Sequence, residues 1–410
     1  MSHPSEEGLG ALLVSDVKRN FAVLPIALQI CLDDIGWHKG NDDRAIGHPS
    51  RSGIPRMHQP EDYYAVNEVG RELNMKIIGP LCLGEWDKDN LLHKEVGISW
   101  DPEGWNRRDE IDYPLAESCL RAAESCDYIE YAIHGLLHGN YTADGKQINE
   151  QEYFVRKEVD GKNVTVPIEQ WDLLRRLDLF YKIYSSWGFT KKIRTIVSPG
   201  GVSSTATFDD LREFAREFRR RGLIFWPNGW YQIDGAHHML EGVMCMRETG
   251  GGMVPWNAFD YDPEMLSDIA PVAIETKRSV FGLHWPNFFR FNPKRYLDHK
   301  DAWVAYFRRQ AEYFGCMLSR DIAFAANQEL HAVLAELTEE NGKLVVDLTR
   351  VAKCSHEAVS PSFFISFKHG TVPDHCTGGT AKLYERHSQF DTYSISYSEN
   401  IIEIFTKEEK

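Results

Sequence analysis

The chain has 410 residues and a formal net charge of −15; its 42% hydrophobic content supplies a sizeable core, so wholesale disorder is excluded. The acidic balance argues against a general phosphate-backbone binder, which needs a basic stripe. No stretch approaches the ~20 apolar residues of a membrane span, and the polar, acidic start from Met1 to Gly10 does not read as a signal peptide.

Apolar runs alternate with helix-period segments along most of the chain. Val23 to Leu32 predicts a strand, Glu61 to Leu73 a helix opened by Pro60, and Met75 to Leu83 a strand. Tyr113 to Glu124 predicts a helix and Tyr128 to Ile133 a strand. Ile168 to Trp187 is a long amphipathic helix stopped by Gly188, followed by a strand from Ile193 to Ser198. Phe208 to Arg221 predicts a helix capped by Thr207. Strands are expected at Leu223 to Trp226, Gly242 to Met246 and Ser279 to Leu283, then helices at Asp298 to Phe314 and Asp321 to Leu337. Seven strands alternating with helices imply parallel βαβ units, which fit an open doubly wound sheet or a closed barrel, and the span from about 20 to 335 favours the barrel.

The tail reads differently. Five strand-like segments (Lys343 to Val351, Phe363 to Lys368, Ala381 to His387, Asp391 to Tyr397 and Ile401 to Phe405) are separated by turn residues. The expected division is a barrel over 1–338 and a small antiparallel β module over 339–410, with capping or oligomerisation as its role. Eight scattered cysteines without a CxxC are expected to be reduced thiols, which predicts a cytoplasmic location.

Long connections follow strands at Ile35 to Pro60, Gly84 to Asp112 and Gly139 to Pro167; in a barrel all three sit at the C-terminal face, where such folds place their sites. They carry Trp37, Trp86, Trp100 and Trp105, a supply of rings for stacking on sugar or for pinning the loops. The run Leu24 to Leu32 ends in Asp33-Asp34, two carboxylates too costly to bury inside a strand. Successive strand residues point to opposite faces, so the chain must bend for both acids to serve one site, and Gly36 permits a bend. His134-Gly135-Leu136-Leu137-His138 follows a strand; if the chain then turns helical, the two imidazoles share a face, a spacing that suits one metal ion. His284-Trp285 closes the last barrel strand, and Ser198-Pro199-Gly200-Gly201 offers backbone N–H groups at another strand end, as an oxyanion stabiliser requires. His237-His238 reads as unrelated to the site, and Gly250-Gly251-Gly252 as a flexible connection. No Gly-x-Ser-x-Gly elbow occurs, which counts against a serine esterase.

The order of these motifs resembles the polysaccharide deacetylase (NodB-homology) family of metal-dependent carbohydrate esterases, over roughly residues 20 to 290. That family's first motif is a strand ending in Thr-Phe-Asp-Asp-Gly, matched here by Cys31-Leu32-Asp33-Asp34-Ile35; its second, His-(Ser/Thr)-x-x-His, is matched by His134 and His138 with Gly135 in place of the hydroxyl residue. The resemblance implies a distorted (β/α)7-8 barrel, with Asp33 as catalytic base, Asp34, His134 and His138 as ligands of a divalent metal, Zn²⁺ first, and His284 as general acid. The family's Arg directly before its Pro motif is absent at Pro199, Arg194 lying five residues upstream, and its Asp-x-x-Asp-Trp motif is replaced by Trp226-Pro227-Asn228-Gly229-Trp230. The expected activity is removal of an acetyl group from an N-acetylated sugar or related small amide, with Pro199, Gly200, Trp37, Trp86 and Trp285 against the substrate. Hydrolysis of a non-sugar C–N bond or a glycosidic bond, or a degenerate carbohydrate-binding barrel, are the alternatives. The expected partner is a small-molecule or oligosaccharide substrate, with neither nucleic acid nor membrane; homo-oligomerisation is left open.

Overall fold

The computed structural model describes residues 22–38, 56–202, 206–229, 239–246, 248–250, 279–340, 342–387 and 390–408. Within them the apolar runs form β1 (Ala27–Asp33), β2 (Ile77–Cys82), β3 (Ile129–Gly135), β4 (Thr195–Ile196), β5 (Phe225–Trp226), β6 (Val243–Cys245), β7 (Glu248–Gly250) and β8 (Val280–His284). These strands lie in the order β6-β5-β4-β3-β2-β1-β8-β7, each parallel to the next. Beyond β6 the short strand Met239–Leu240 adds antiparallel at one edge, and β7 is the last strand at the other; because β6 and β7, the two ends of the parallel run, are separated in the chain by residues 246 and 247 alone, the sheet must curl. Mixed α/β order with a curled, barrel-like sheet is what the alternation of patterns implies.

Strand alternation fixes what lies inside the curl. Cys31, Ile78, Ala132, Val197, Phe225, Met244 and Val280, drawn from the strands or the residue next to them, form one apolar cluster. The helix Ile322–Leu334 joins that cluster through Ile322, Ala325, Ala326 and Leu330. The intervening residues, such as Ile30, Leu32 and Ile133, belong to the larger core on the other face, with the helices Pro60–Leu73 and Gln170–Trp187. Two positions beyond Cys31 and Ala132 come Asp33 and His134, so the side-chain period of two places both on the inner face, towards the C-terminal mouth.

Several predicted elements change at identifiable residues. The first predicted strand divides at Pro25, which has no N–H to donate to a ladder: Ala22–Val23 pairs with Ser366 and Phe367 in the tail, and β1 begins only at Ala27. The last predicted helix ends at Leu334, and Glu336–Glu340 is a strand paired with Lys343–Asp347 across the expected boundary at 338. Of the predicted connection Gly250-Gly251-Gly252, Gly250 ends the strand Glu248–Gly250, too polar to register as one, and Gly251 and Gly252 lie outside the described residues. The tail, joined by Ala22–Val23, forms two antiparallel four-stranded sheets around a shared apolar core that includes Val346, Phe363, Ile365, Ile395 and Ile404. Its strand Thr371–Thr377, with Pro373 and Asp374, escaped the sequence pattern. His237 and His238 lie outside the described residues, as does Trp230. The described cysteines are all free. No helix among the described residues is long and apolar enough to cross a membrane.

Helix and tail meet through buried polar groups. Gln328 donates to the carbonyls of Pro25 and Phe364, and His331 lies between the Asn327 carbonyl and the Tyr397 hydroxyl, stacked on Phe363. Burial, only partly opposed by the Asn327 carbonyl, lowers the His331 imidazole from 6.5 to about 4. The unfolded chain therefore takes up a proton between pH 6.5 and 4 that the folded chain refuses, so stability is complete above pH 6.5 and falls below it. Thermal or urea unfolding should show this loss, and His331→Gln should flatten the slope by up to one proton, about 1.4 kcal/mol per pH unit. An unchanged slope would dissociate His331 from the acid sensitivity.

Candidate functional site

Asp33 ends β1 on the inner face, where Cys31 Sγ donates to its Oδ1 at 3.2 Å. The bend that brings its neighbour to the same side is made by Asp34 itself, whose φ is +70°. Left-handed backbone is uncommon outside glycine and is tolerated best by Asp, Asn and His. One residue later the ladder resumes, with Ile35 N–H donating to the Pro80 carbonyl at 3.0 Å and Cys82 N–H to the Ile35 carbonyl at 2.8 Å. Gly36 (φ +112°) allows the closest approach here: a Cβ on it would lie 2.9 Å from the Cys82 carbonyl oxygen.

His134 is presented by β3, and its Nδ1 is 2.9 Å from the Val197 carbonyl. A carbonyl only accepts, so Nδ1 carries a proton and Nε2 is the nitrogen left to bind a cation. Nε2 is buried without a hydrogen-bond partner and stands 3.5 Å from Asp34 Oδ1. His138 Nε2 stands 3.6 Å from the same oxygen, and all three side chains are buried. The helical turn expected between the two histidines is absent. The chain instead makes a tight loop with Gly135 at φ +112° and His138 at φ +50°, because its N–H groups turn inward onto a buried carboxylate, that of Glu152.

These distances test whether the three residues fit a metal. Ligands about 2.0–2.2 Å from a tetrahedral ion are about 3.3–3.6 Å apart. The 3.5 and 3.6 Å separations meet that spacing while exceeding a good hydrogen bond, and a buried Nε2 without a partner is what an absent cation would leave. One carboxylate and two imidazoles suit Zn²⁺ and leave coordination open for water and substrate. Without a cation, burial would push the His134 imidazole down, but Asp33 and Asp34 outweigh it and hold it up at about 9.

A second carboxylate meets Asp33. Glu248 on β7 reaches over Gly282, where a Cβ would overlap its carboxylate, and one of its oxygens lies within 4.8 Å of ligand atoms of Cys31 and Asp33. Burial and the Asp33 charge raise Glu248 to about 8, with His134 opposing. The sequence reading missed Glu248 and Glu152. Gly282 inside an apolar strand was the one available signal for the first; the polar connection around Glu152 offered none.

The remaining predicted residues separate into two groups. His284 pairs in register with Asp33, which puts it on the same face, and its N–H donates to Asn287 Oδ1. At the predicted oxyanion turn Pro199 has no N–H and the Gly201 N–H donates to the Ser198 carbonyl, so the backbone donor open to a substrate narrows to Gly200, which is exposed. Trp37, Trp86 and Trp285 do not stand open for stacking: each is at most 1% exposed. Trp86 donates to the Gly36 carbonyl and packs edge-on against His38 and Trp187; Trp285 packs on Tyr63 and Phe289. These rings build the walls under the loops.

No protein-family model matches the chain, and no curated protein matches it. Among solved structures, a family 4 carbohydrate esterase from Streptomyces lividans in complex with acetate is similar over 72% of this chain and 92% of its own, at 10% sequence identity and a TM-score of 0.32. A likeness of that order fixes neither fold nor function.

Proposed function

We propose that the chain is a metal-dependent hydrolase of the deacetylase kind, removing an acetyl group from an N-acetylated sugar or a related small amide. One observation carries this reading: two imidazole Nε2 atoms converge on a single oxygen of Asp34, in a buried pocket of donors beside Asp33. The motif order that resembles the polysaccharide deacetylases supports it. Asp34, His134 and His138 would hold a divalent metal, Zn²⁺ by their donor set, which would supply Lewis acidity and lower the pKa of a water toward ~7.

The chain's own groups do the rest. Asp33, on the inner face one residue before Asp34, accepts the proton of the attacking water. The Gly200 N–H is the donor assigned to the oxygen that gains charge. His284, beside Asp33 in register, returns a proton to the departing amine. Removing metal with a chelator should abolish turnover, and adding Zn²⁺ back should restore it; elemental analysis of the purified protein identifies the ion. Full activity in metal-free protein would overturn the reading.

The burial of Trp37, Trp86 and Trp285 favours a second reading on the same residues, hydrolysis of a small non-sugar C–N bond. A stacked sugar needs an open ring face, and these three offer none. Assays on acetamido sugars against ureides and cyclic amides separate the two.

A further inference from the structure

We propose that Glu152 is the positioning residue of the metal centre: its carboxylate fills the ring of backbone N–H groups that carries His138 and thereby sets where that imidazole points. The inference rests on the reading of Asp34, His134 and His138 as ligands.

Between Gly135 and His138 the chain has no helix or strand partner for its N–H groups after β3 ends. All three following N–H groups turn to Glu152: Leu136 N–H reaches both oxygens at 2.9 Å, and Leu137 and His138 N–H reach Oε2 at 3.1 and 3.0 Å. The loop's carbonyls are satisfied elsewhere. Leu83 and Gly84 N–H donate to those of Gly135 and Leu136, the Tyr141 hydroxyl to that of Leu137, and Gln147 Nε2 to that of His138. Every backbone polar group from Leu136 to His138 is therefore accounted for, and one side chain accepts every N–H. Successive N–H groups turned to one point form an anion-binding concavity, here occupied by the chain's own carboxylate.

Two further features belong to the same device. A Cβ at Gly135 would lie 2.5 Å from Glu152 Oε2, so a larger residue at that position and this carboxylate exclude each other. That explains why a glycine stands where the resembled motif has Ser or Thr. Arg176, fully buried on the long helix, brings its Nη1 to 3.9 Å from Glu152 Oε1 and donates to the Asn140 side chain and the Gly97 and Gly139 carbonyls. Asn140 in turn donates to the Gln151, Glu152 and Phe154 carbonyls, which fixes the segment bearing the carboxylate. The long insertion after β3 thus reaches back under the second histidine and holds it. Partners that orient metal ligands typically change metal affinity about 10–100-fold when removed.

The test uses the full chain stripped of metal and titrated with Co²⁺, whose visible spectrum reports the number and geometry of its ligands. Glu152→Ala should weaken Co²⁺ binding about 10–100-fold and alter the spectrum at saturation, and Glu152→Gln, which keeps an acceptor without the charge, should fall between it and the wild type. A folded Glu152→Ala with wild-type affinity and spectrum overturns the proposal. Hydrogen exchange on the wild type decides the case if the variants do not fold: amides 136–138 should be protected in both metal-free and loaded protein, and rapid exchange in the metal-free chain overturns it. A wild-type chain that binds no Co²⁺ defeats the metal reading instead, which the protection of those amides would not touch.

Discussion

Asp34→Ala is expected to leave a folded protein that neither retains metal nor turns over substrate. Asp34 Oδ1 is the point on which both Nε2 atoms converge, so its removal takes away the only anionic member of the three-residue set. The affinity loss should exceed the roughly 10–100-fold seen when a merely supporting partner is removed. Alanine also accepts φ +70° less readily than aspartate, so part of any loss of stability, about 1–2 kcal/mol, belongs to the backbone. Asp34→Asn separates the effects, since asparagine tolerates the same backbone and keeps the shape but not the charge. Both variants should fail to hold Zn²⁺ in an equilibrium titration, with Asn showing the smaller drop in melting temperature. Wild-type metal content in either would remove Asp34 from the ligand set.

The same residue shows where sequence reasoning succeeds and where it stops. β1 and β3 are legible as continuous apolar runs because each strand is buried on both faces, and counting forward by twos from Cys31 and Ala132 lands on Asp33 and His134 at the mouth. Two adjacent acids at a strand end were therefore readable as candidates, and so was the need for a bend. Its location was not. Gly36 carries the sequence signal for a turn, yet Asp34 makes the decisive left-handed step, a choice settled by the ladder resuming at Ile35. The histidine pair was legible by spacing but its mechanism was not, because HxxxH suggests a helix and the loop is shaped by a carboxylate fourteen residues further on. Glu152 and Glu248 lie in polar surroundings with no periodicity, and only the closure of the sheet and the fold of the insertion bring them in. The tryptophans were misplaced for the opposite reason: a large ring on a long connection looks exposed until the connection folds over it.

Asp33→Asn should give the complementary result, metal retained and turnover lost. Asparagine preserves the strand end and still accepts from Cys31 Sγ, but it cannot take a proton from water. Loss of a positioned general base lowers turnover typically about 10²–10⁴-fold, while Zn²⁺ affinity should stay within a few-fold because Asp34, His134 and His138 are untouched. The structure adds a consequence for the residual rate. Glu248 lies within 4.8 Å of the Asp33 ligand atom, and removing the Asp33 charge that helps keep it protonated leaves its carboxylate readier to serve a water at the same mouth. If it does, Asp33→Asn will sit at the mild end of that range, and adding Glu248→Gln will lower turnover further; in the wild-type background Glu248→Gln will cost much less. Two groups that share one task give such non-additive losses, which the four-variant cycle measures directly. Equal losses from Glu248→Gln in both backgrounds would show that the two acids act independently, and full turnover in Asp33→Asn would move the base elsewhere in the site.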